Sequence, residues 1–168
     1  MLTKQQKTEQ IKEISELLKN NQLLVFTDFS GTSVEDLKKL RGSLMAGGAK
    51  LKVFKKRLLG ISLKEGGFDF DPNRFESQLA TIFSDKDIPE VAALVYKFFK
   101  AVEKKGFKIL GAYNLAAKNF LDAETVQMIG KLPSREVLLA QVAGMLAAPI
   151  KMFLYVLNEK AKMVEIKK

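Results

Sequence analysis

The stretch Leu132-Pro-Ser-Arg-Glu-Val-Leu-Leu-Ala-Gln-Val-Ala-Gly-Met-Leu-Ala-Ala-Pro-Ile-Lys-Met-Phe-Leu-Tyr-Val-Leu-Asn158 decides how the chain is organised. Pro133 disfavours helix in the residue before it, so the chain breaks there and Ser134 is placed to cap a new helix. From Ser134 to about Glu165 the apolar spacing predicts one helix, with a kink expected at Pro149, where a backbone donor is missing. Leu139, Val142, Leu146, Ile150, Phe153, Leu157 and Val164 step by three or four along one face, with one gap at Ala161. Leu138, Met145, Met152, Leu154 and Val156 add apolar surface on other sides. A helix apolar nearly all round must be buried, and too little chain remains to bury it. Lys151-Met-Phe153 recurs as Lys162-Met-Val164, about three helical turns later. Two similar platforms on one rod imply two copies of a partner.

Upstream, helical and strand patterns alternate. Thr3-x-x-Gln6 opens a first helix like a capping box, and Ile11, Ile14, Leu17 and Leu18 form its stripe before Asn20-Asn21 ends it. Leu23–Phe29 reads as a central strand. Ser33 caps a second helix to Ala46, with Val34, Leu37, Leu40 and Leu44 expected inward and Gly47-Gly48 as its stop. Ala49–Phe54 alternates as a half-buried strand, with Lys50 and Lys52 on one face. A short helix comes after Lys55, and Gly66–Asn73 reads as loop. Leu79–Phe83 is a third strand. Pro89 starts a helix reaching about Lys105. Phe107–Tyr113 is a fourth strand, Leu115–Phe120 a candidate short fifth, and Asp122–Gly130 a short helix. The expected architecture is α/β: a compact domain, residues 1–131, with a mixed four- to five-stranded sheet flanked by helices, then a long kinked C-terminal helix, residues 132–168.

Composition narrows the function. The 168 residues contain no cysteine and no histidine, which removes thiolate chemistry and the commonest general base and metal ligand. Gly42–Lys50 fails the phosphate-loop spacing, since no Ser or Thr follows Lys50. Asp69 and Asp71 lack a third acid and read as a turn. Asp28 reads as a turn cap, and Ser30 and Ser33 have no base to activate them. No enzyme, metal or cofactor is expected. The polar start is unlike a signal peptide, and Gln141, Pro149, Lys151 and Tyr155 interrupt the longest apolar run, so no membrane partner is expected.

The formal charge is +9. No acidic residue lies between Asp36 and Glu65, a window that holds Lys38, Lys39, Arg41, Lys50, Lys52, Lys55, Lys56, Arg57 and Lys64. Such like charges repel unless an anion neutralises them, and structured nucleic acid does so naturally. Lys55-Lys-Arg57 sits where a strand feeds a helix N-terminus, whose backbone donors already favour an anion. Lys38 and Lys39 read as solvated surface.

Several motifs carry a resemblance. Leu2-Thr-Lys-Gln-Gln-Lys7 opens the chain; Thr27-Asp-Phe-Ser-Gly31 is followed by Val34, Leu37, Leu40-Arg41, Leu44 and Gly47; Val53-Phe-Lys55 precedes Leu58. Most specific are Lys131-Leu-Pro-Ser-Arg-Glu-Val-Leu-Leu-Ala140, Ala148-Pro-Ile150 and Val156-Leu-Asn158. Over essentially its whole length the chain resembles the stalk-base protein of the bacterial large ribosomal subunit, the ribosomal protein L-ten family. Phe29 stands where the family has tyrosine, Ser30 where arginine is common, and Lys56 where asparagine is usual. The family's Gly-Pro-Thr turn is missing around Gln78–Thr81.

The resemblance implies a structural role in the cytoplasmic ribosome. The N-terminal domain would sit on large-subunit rRNA beside ribosomal protein L-eleven, through Lys4, Lys7, Ser30, Gly31, Arg41, Lys52, Lys55, Lys56 and Arg57. The C-terminal helix would carry dimers of the acidic stalk protein, L-seven/L-twelve, on Leu146, Ile150, Phe153, Leu154, Leu157, Met163 and Val164, and these would recruit translational GTPases. The alternative reading is an unrelated RNA-binding adaptor whose C-terminal helix self-associates.

Overall fold

The computed structural model describes residues 4–68, 70–102 and 106–166; the side chains of Lys4, Ala161 and residues 163–166 lie outside that description. The chain divides into two units, Met1–Leu132 and Pro133–Lys168.

In the first unit, α1 (Lys4–Asn20) leads into β1 (Leu23–Asp28). Asn21 Nδ2 donates to the Leu17 carbonyl at 2.7 Å, which satisfies an orphan acceptor where the helix stops. The expected Thr3 cap lies outside the described residues. Next come α2 (Val34–Ala46), β2 (Ala49–Lys52), α3 (Lys56–Glu65), a 3-10 turn (Pro72–Arg74), β3 (Leu79–Ser84), α4 (Ile88–Val102), β4 (Lys108–Asn114), β5 (Asn119–Asp122) and α5 (Ala123–Lys131). Ser33 caps α2 as expected, its side chain accepting from the Glu35 N–H at 3.4 Å. Gly48 supplies the left-handed turn into β2 at φ 80°.

The five strands lie in the order β2-β3-β1-β4-β5. The α/β class holds, but every pairing is antiparallel, where the sequence pattern predicts a mixed sheet. Alternating helix and strand normally implies parallel neighbours. Here each long crossover skips a strand. β1 and β2 both flank β3, while β3 and β4 both flank β1, so the strands that run parallel never touch. This is the split β-α-β arrangement.

Helices cover both faces. Leu40 and Leu44 of α2, Val91, Ala92 and Val95 of α4 and Val126 of α5 pack on Leu23, Val25, Leu51, Ile82 and Ala112. On the opposite face, Ile14 and Leu18 of α1 and Leu58, Leu59 and Leu63 of α3 pack on Leu24, Phe26, Phe83 and Tyr113. All six residues of β1 and of β3 are therefore buried. Val34, expected inward, is 70% exposed: it is the first residue of α2, beyond the sheet edge that Leu40 and Leu44 cover.

The second unit is α6 (Arg135–Ile166), a helix that continues past Pro149. It opens with the Leu138 N–H donating to the Ser134 carbonyl at 3.0 Å.

Candidate nucleic-acid interface and partner helix

Register decides which of the predicted basic residues share a surface. Asp28, at the end of β1, pairs with Leu79 at the start of β3 and with Lys108 at the start of β4. Lys52, at the end of β2, pairs with Thr81 near the same end of β3. One end of the sheet thus gathers four segments: the Ser30-Gly31 turn, the Lys52–Arg57 exit, the approach through Arg74 to β3, and Lys108. At about 4.8 Å per strand, they span about 14 Å. α1 ends where β1 begins, so its N-terminal end, with Lys4 and Lys7, points toward this rim; the Lys4 side chain lies outside the described residues.

Local chemistry fixes each segment. Asp28 is 7% exposed, and its Oδ1 accepts from the Ser30 N–H at 2.9 Å and from the Ser30 hydroxyl at 2.7 Å. The Ser30 proton is thus committed to the turn. Gly31 completes the turn at φ 78°. Gly106, at φ 93°, packs beneath, where a Cβ would stand 2.5 Å from the Ser30 carbonyl oxygen. The segment carrying Arg74 is pinned by aromatic stacking: Phe70 lies 4.8 Å from Phe26 and 5.0 Å from Phe120, ring centre to ring centre. Asp71 accepts from the Asn73 N–H at 3.0 Å to start the 3-10 turn. That bond is the main cause holding its carboxyl below the usual aspartate pKa.

The basic residues fall into distinct groups. Lys55, the N-cap residue of α3, and Arg57 are exposed, with no ion pair among the described residues. Lys56 instead donates from Nζ to the Phe75 carbonyl at 2.6 Å, tying α3 to the pinned segment. Lys52 is paired with Glu13 of α1. Arg41 lies two turns into α2 and lines a groove beside β2, away from the rim. Arg74 and Lys108, both exposed, belong to the rim and were missed, because only strand register brings them there. Asp71 and Glu76 are exposed carboxylates of the Arg74 segment.

On α6, Leu139, Val142, Leu146, Ile150, Phe153 and Leu157 are 49–76% exposed and fall within an arc of about 80°. Leu154 is 54% exposed. The Met163 and Val164 side chains lie outside the described residues. Arg135–Lys160 is long and apolar enough, by length and composition, to cross a membrane. Lys151 near its middle is a costly residue for such a span.

Comparison with known proteins decides the context of these surfaces. The family "Ribosomal protein L10" matches residues 2–100, and "Ribosomal protein uL10 C-terminal region" matches residues 132–161. The large ribosomal subunit protein uL10 of Thermotoga neapolitana is 37% identical over 162 residues, 94% of this chain and 89% of the relative. The chain belongs to the ribosomal protein L10 family. Other uL10 relatives include that of Thermosipho africanus, 36% identical over 96% of this chain and 92% of its own, and that of Geobacter metallireducens, 34% identical over 93% and 88%. As a uL10 protein the chain is a structural component of the large ribosomal subunit, which in bacteria is cytoplasmic, and is not an enzyme. The family assignment replaces the alternative of an unrelated adaptor.

Proposed function

We propose that this uL10 chain forms the base of the ribosomal stalk. Its globular unit binds large-subunit rRNA through the rim of Lys7, Lys55, Arg57, Arg74 and Lys108, with Lys4 and the Ser30-Gly31 turn alongside and ribosomal protein L-eleven as neighbour. The rim contacts phosphates, and contacts of that kind position a protein without reading sequence. Lys52 and Lys56, already engaged within the chain, act as struts that hold α1, α3 and the Arg74 segment in place.

α6 carries dimers of the acidic stalk protein, L-seven/L-twelve. The observation behind this reading is the exposed apolar stripe from Leu139 to Leu157. A run of large side chains left to solvent on a soluble component marks an interaction surface. Each Leu, Ile or Phe is worth about 1.5–3 kcal/mol when fully buried, so a few per platform suffice for a stable seat. The basic charge of the chain complements an acidic partner. Several flexible arms on one rod raise the local concentration of their free ends near incoming translational GTPases.

Native mass spectrometry of the chain co-expressed with its acidic stalk protein tests this. One chain with two stalk dimers supports two platforms, and three dimers add Leu138–Leu146 as another. A homodimer without stalk protein refutes the reading and assigns the stripe to self-association.

A further inference from the structure

β2 is the outermost strand on its side of the sheet and, among the described residues, pairs with β3 alone. Alternation in an antiparallel ladder turns every second N–H and C=O of such a strand outward. Beside this open edge runs a groove of about 580 Å³ between α2 and β2. Its lining includes Arg41 and Met45 of α2 and Lys50, Leu51 and Val53 of the strand and its exit. Met45 is 69% exposed and Val53 51%. Arg41 and Lys50 are exposed without an ion pair among the described residues, and no carboxylate lines the groove.

We propose that this groove takes an extended, acidic segment of a partner protein, added as a further strand along β2. Three features point to this occupant. The outward N–H and C=O groups match a peptide backbone, which both donates and accepts; a phosphate backbone only accepts. The two faces of β2 differ: Leu51 lies on the α2 side with Met45, whereas Lys50 and Lys52 lie on the other. An incoming strand that alternates apolar and acidic residues places its apolar side chains against Met45 and Leu51 and its carboxylates beside Lys50. Arg41 adds a cation on the α2 side of the groove, which raises the attraction for an acidic chain without a direct cross-strand pair. The proposal does not depend on rRNA binding at the rim: the groove meets the rim at Lys52 and Val53, but Lys55, Arg57, Arg74 and Lys108 do not line it.

The test uses the full chain and a capped eight-residue synthetic peptide alternating valine and glutamate. Hydrogen exchange followed by mass spectrometry reads protection across residues 49–53. We expect slowed exchange there on adding the peptide, and an affinity about tenfold weaker for the double variant Arg41→Glu, Lys50→Glu, from one cross-strand pair made repulsive at Lys50 and the reversed charge at the groove wall. Both positions are exposed, and unchanged melting of the variant shows that its fold is intact. A valine–lysine peptide should give no protection. Absence of protection at 49–53, or equal binding of the valine–lysine peptide, overturns the proposal. So does protection of the same residues by an RNA hairpin that excludes the peptide, which assigns the groove to RNA.

Discussion

Three consecutive basic residues, Lys55, Lys56 and Arg57, should respond differently to substitution. Lys55 and Arg57 are exposed, whereas the Lys56 ammonium is bonded to the Phe75 carbonyl at 2.6 Å. Each neutralised phosphate contributes about 0.7–0.9 to the slope of log affinity against log salt, so Lys55→Gln with Arg57→Gln should flatten that slope by about 1.4–1.8. The double variant should melt with the parent, since exposed substitutions usually change stability by less than about 0.5 kcal/mol. Lys56→Met removes a charge-assisted hydrogen bond at a partly buried site, which costs about 1 kcal/mol after solvent screening. In a protein of this size that lowers the melting temperature by about 2–4 °C. Fluorescence anisotropy with a labelled stalk-base rRNA fragment across a potassium chloride series gives the slopes, and calorimetry gives the melting points. An unchanged slope in the double variant would refute the rim as an RNA surface. Unchanged melting of Lys56→Met would refute the division of labour within the triplet.

On α6, Phe153 is 65% exposed, so Phe153→Asp should leave the melting curve in place while reducing stalk-dimer loading at least about tenfold, from the lost burial of one aromatic side chain; unaltered stoichiometry in native mass spectrometry contradicts this. Phe70→Ala should destabilise the globular unit by about 3–5 kcal/mol, because Phe70 is 5% exposed and stacks on both Phe26 and Phe120; chemical denaturation measures it, and a loss below about 1 kcal/mol, no more than an ordinary substitution costs, argues against the aromatic pin. Asp71 should titrate below an ordinary aspartate by NMR, since the Asn73 N–H bonds its charged form. A depressed folded value means its stabilisation is present above the unfolded pKa and is lost as pH falls through the folded one, so Asp71→Asn should lessen the acid sensitivity of the 3-10 turn.

Much of this architecture was legible in the residues. The apolar run of β1, the Ser33 cap, the alternation of Ala49–Lys52 and the three- and four-residue steps after Ser134 all report local geometry, which spacing encodes directly. Strand order is different in kind. The antiparallel sheet arises from crossovers that skip a strand, and no spacing records which strand is skipped. The same gap hid Arg74 and Lys108, which join the rim only through the pairings of β3 and β4 with β1. It also concealed the separation of Arg41 from the rim, since nearness in sequence to Lys52 says nothing of the helix face between them. Val34 shows a smaller effect: periodicity gives the buried side of a helix but not where along its length the cover begins.

β1 lies between β3 and β4, two strands that come after it in the chain. Its six buried residues are made early, yet both neighbours are made later, the second only when synthesis has passed Asn114. Long loop closures of this kind slow folding relative to local pairing. During synthesis β1 therefore keeps one open edge after β3 has been made, until β4 leaves the exit tunnel. An unpaired apolar edge of this kind favours aggregation, and any pause in synthesis between β1 and β4 would lengthen its exposure.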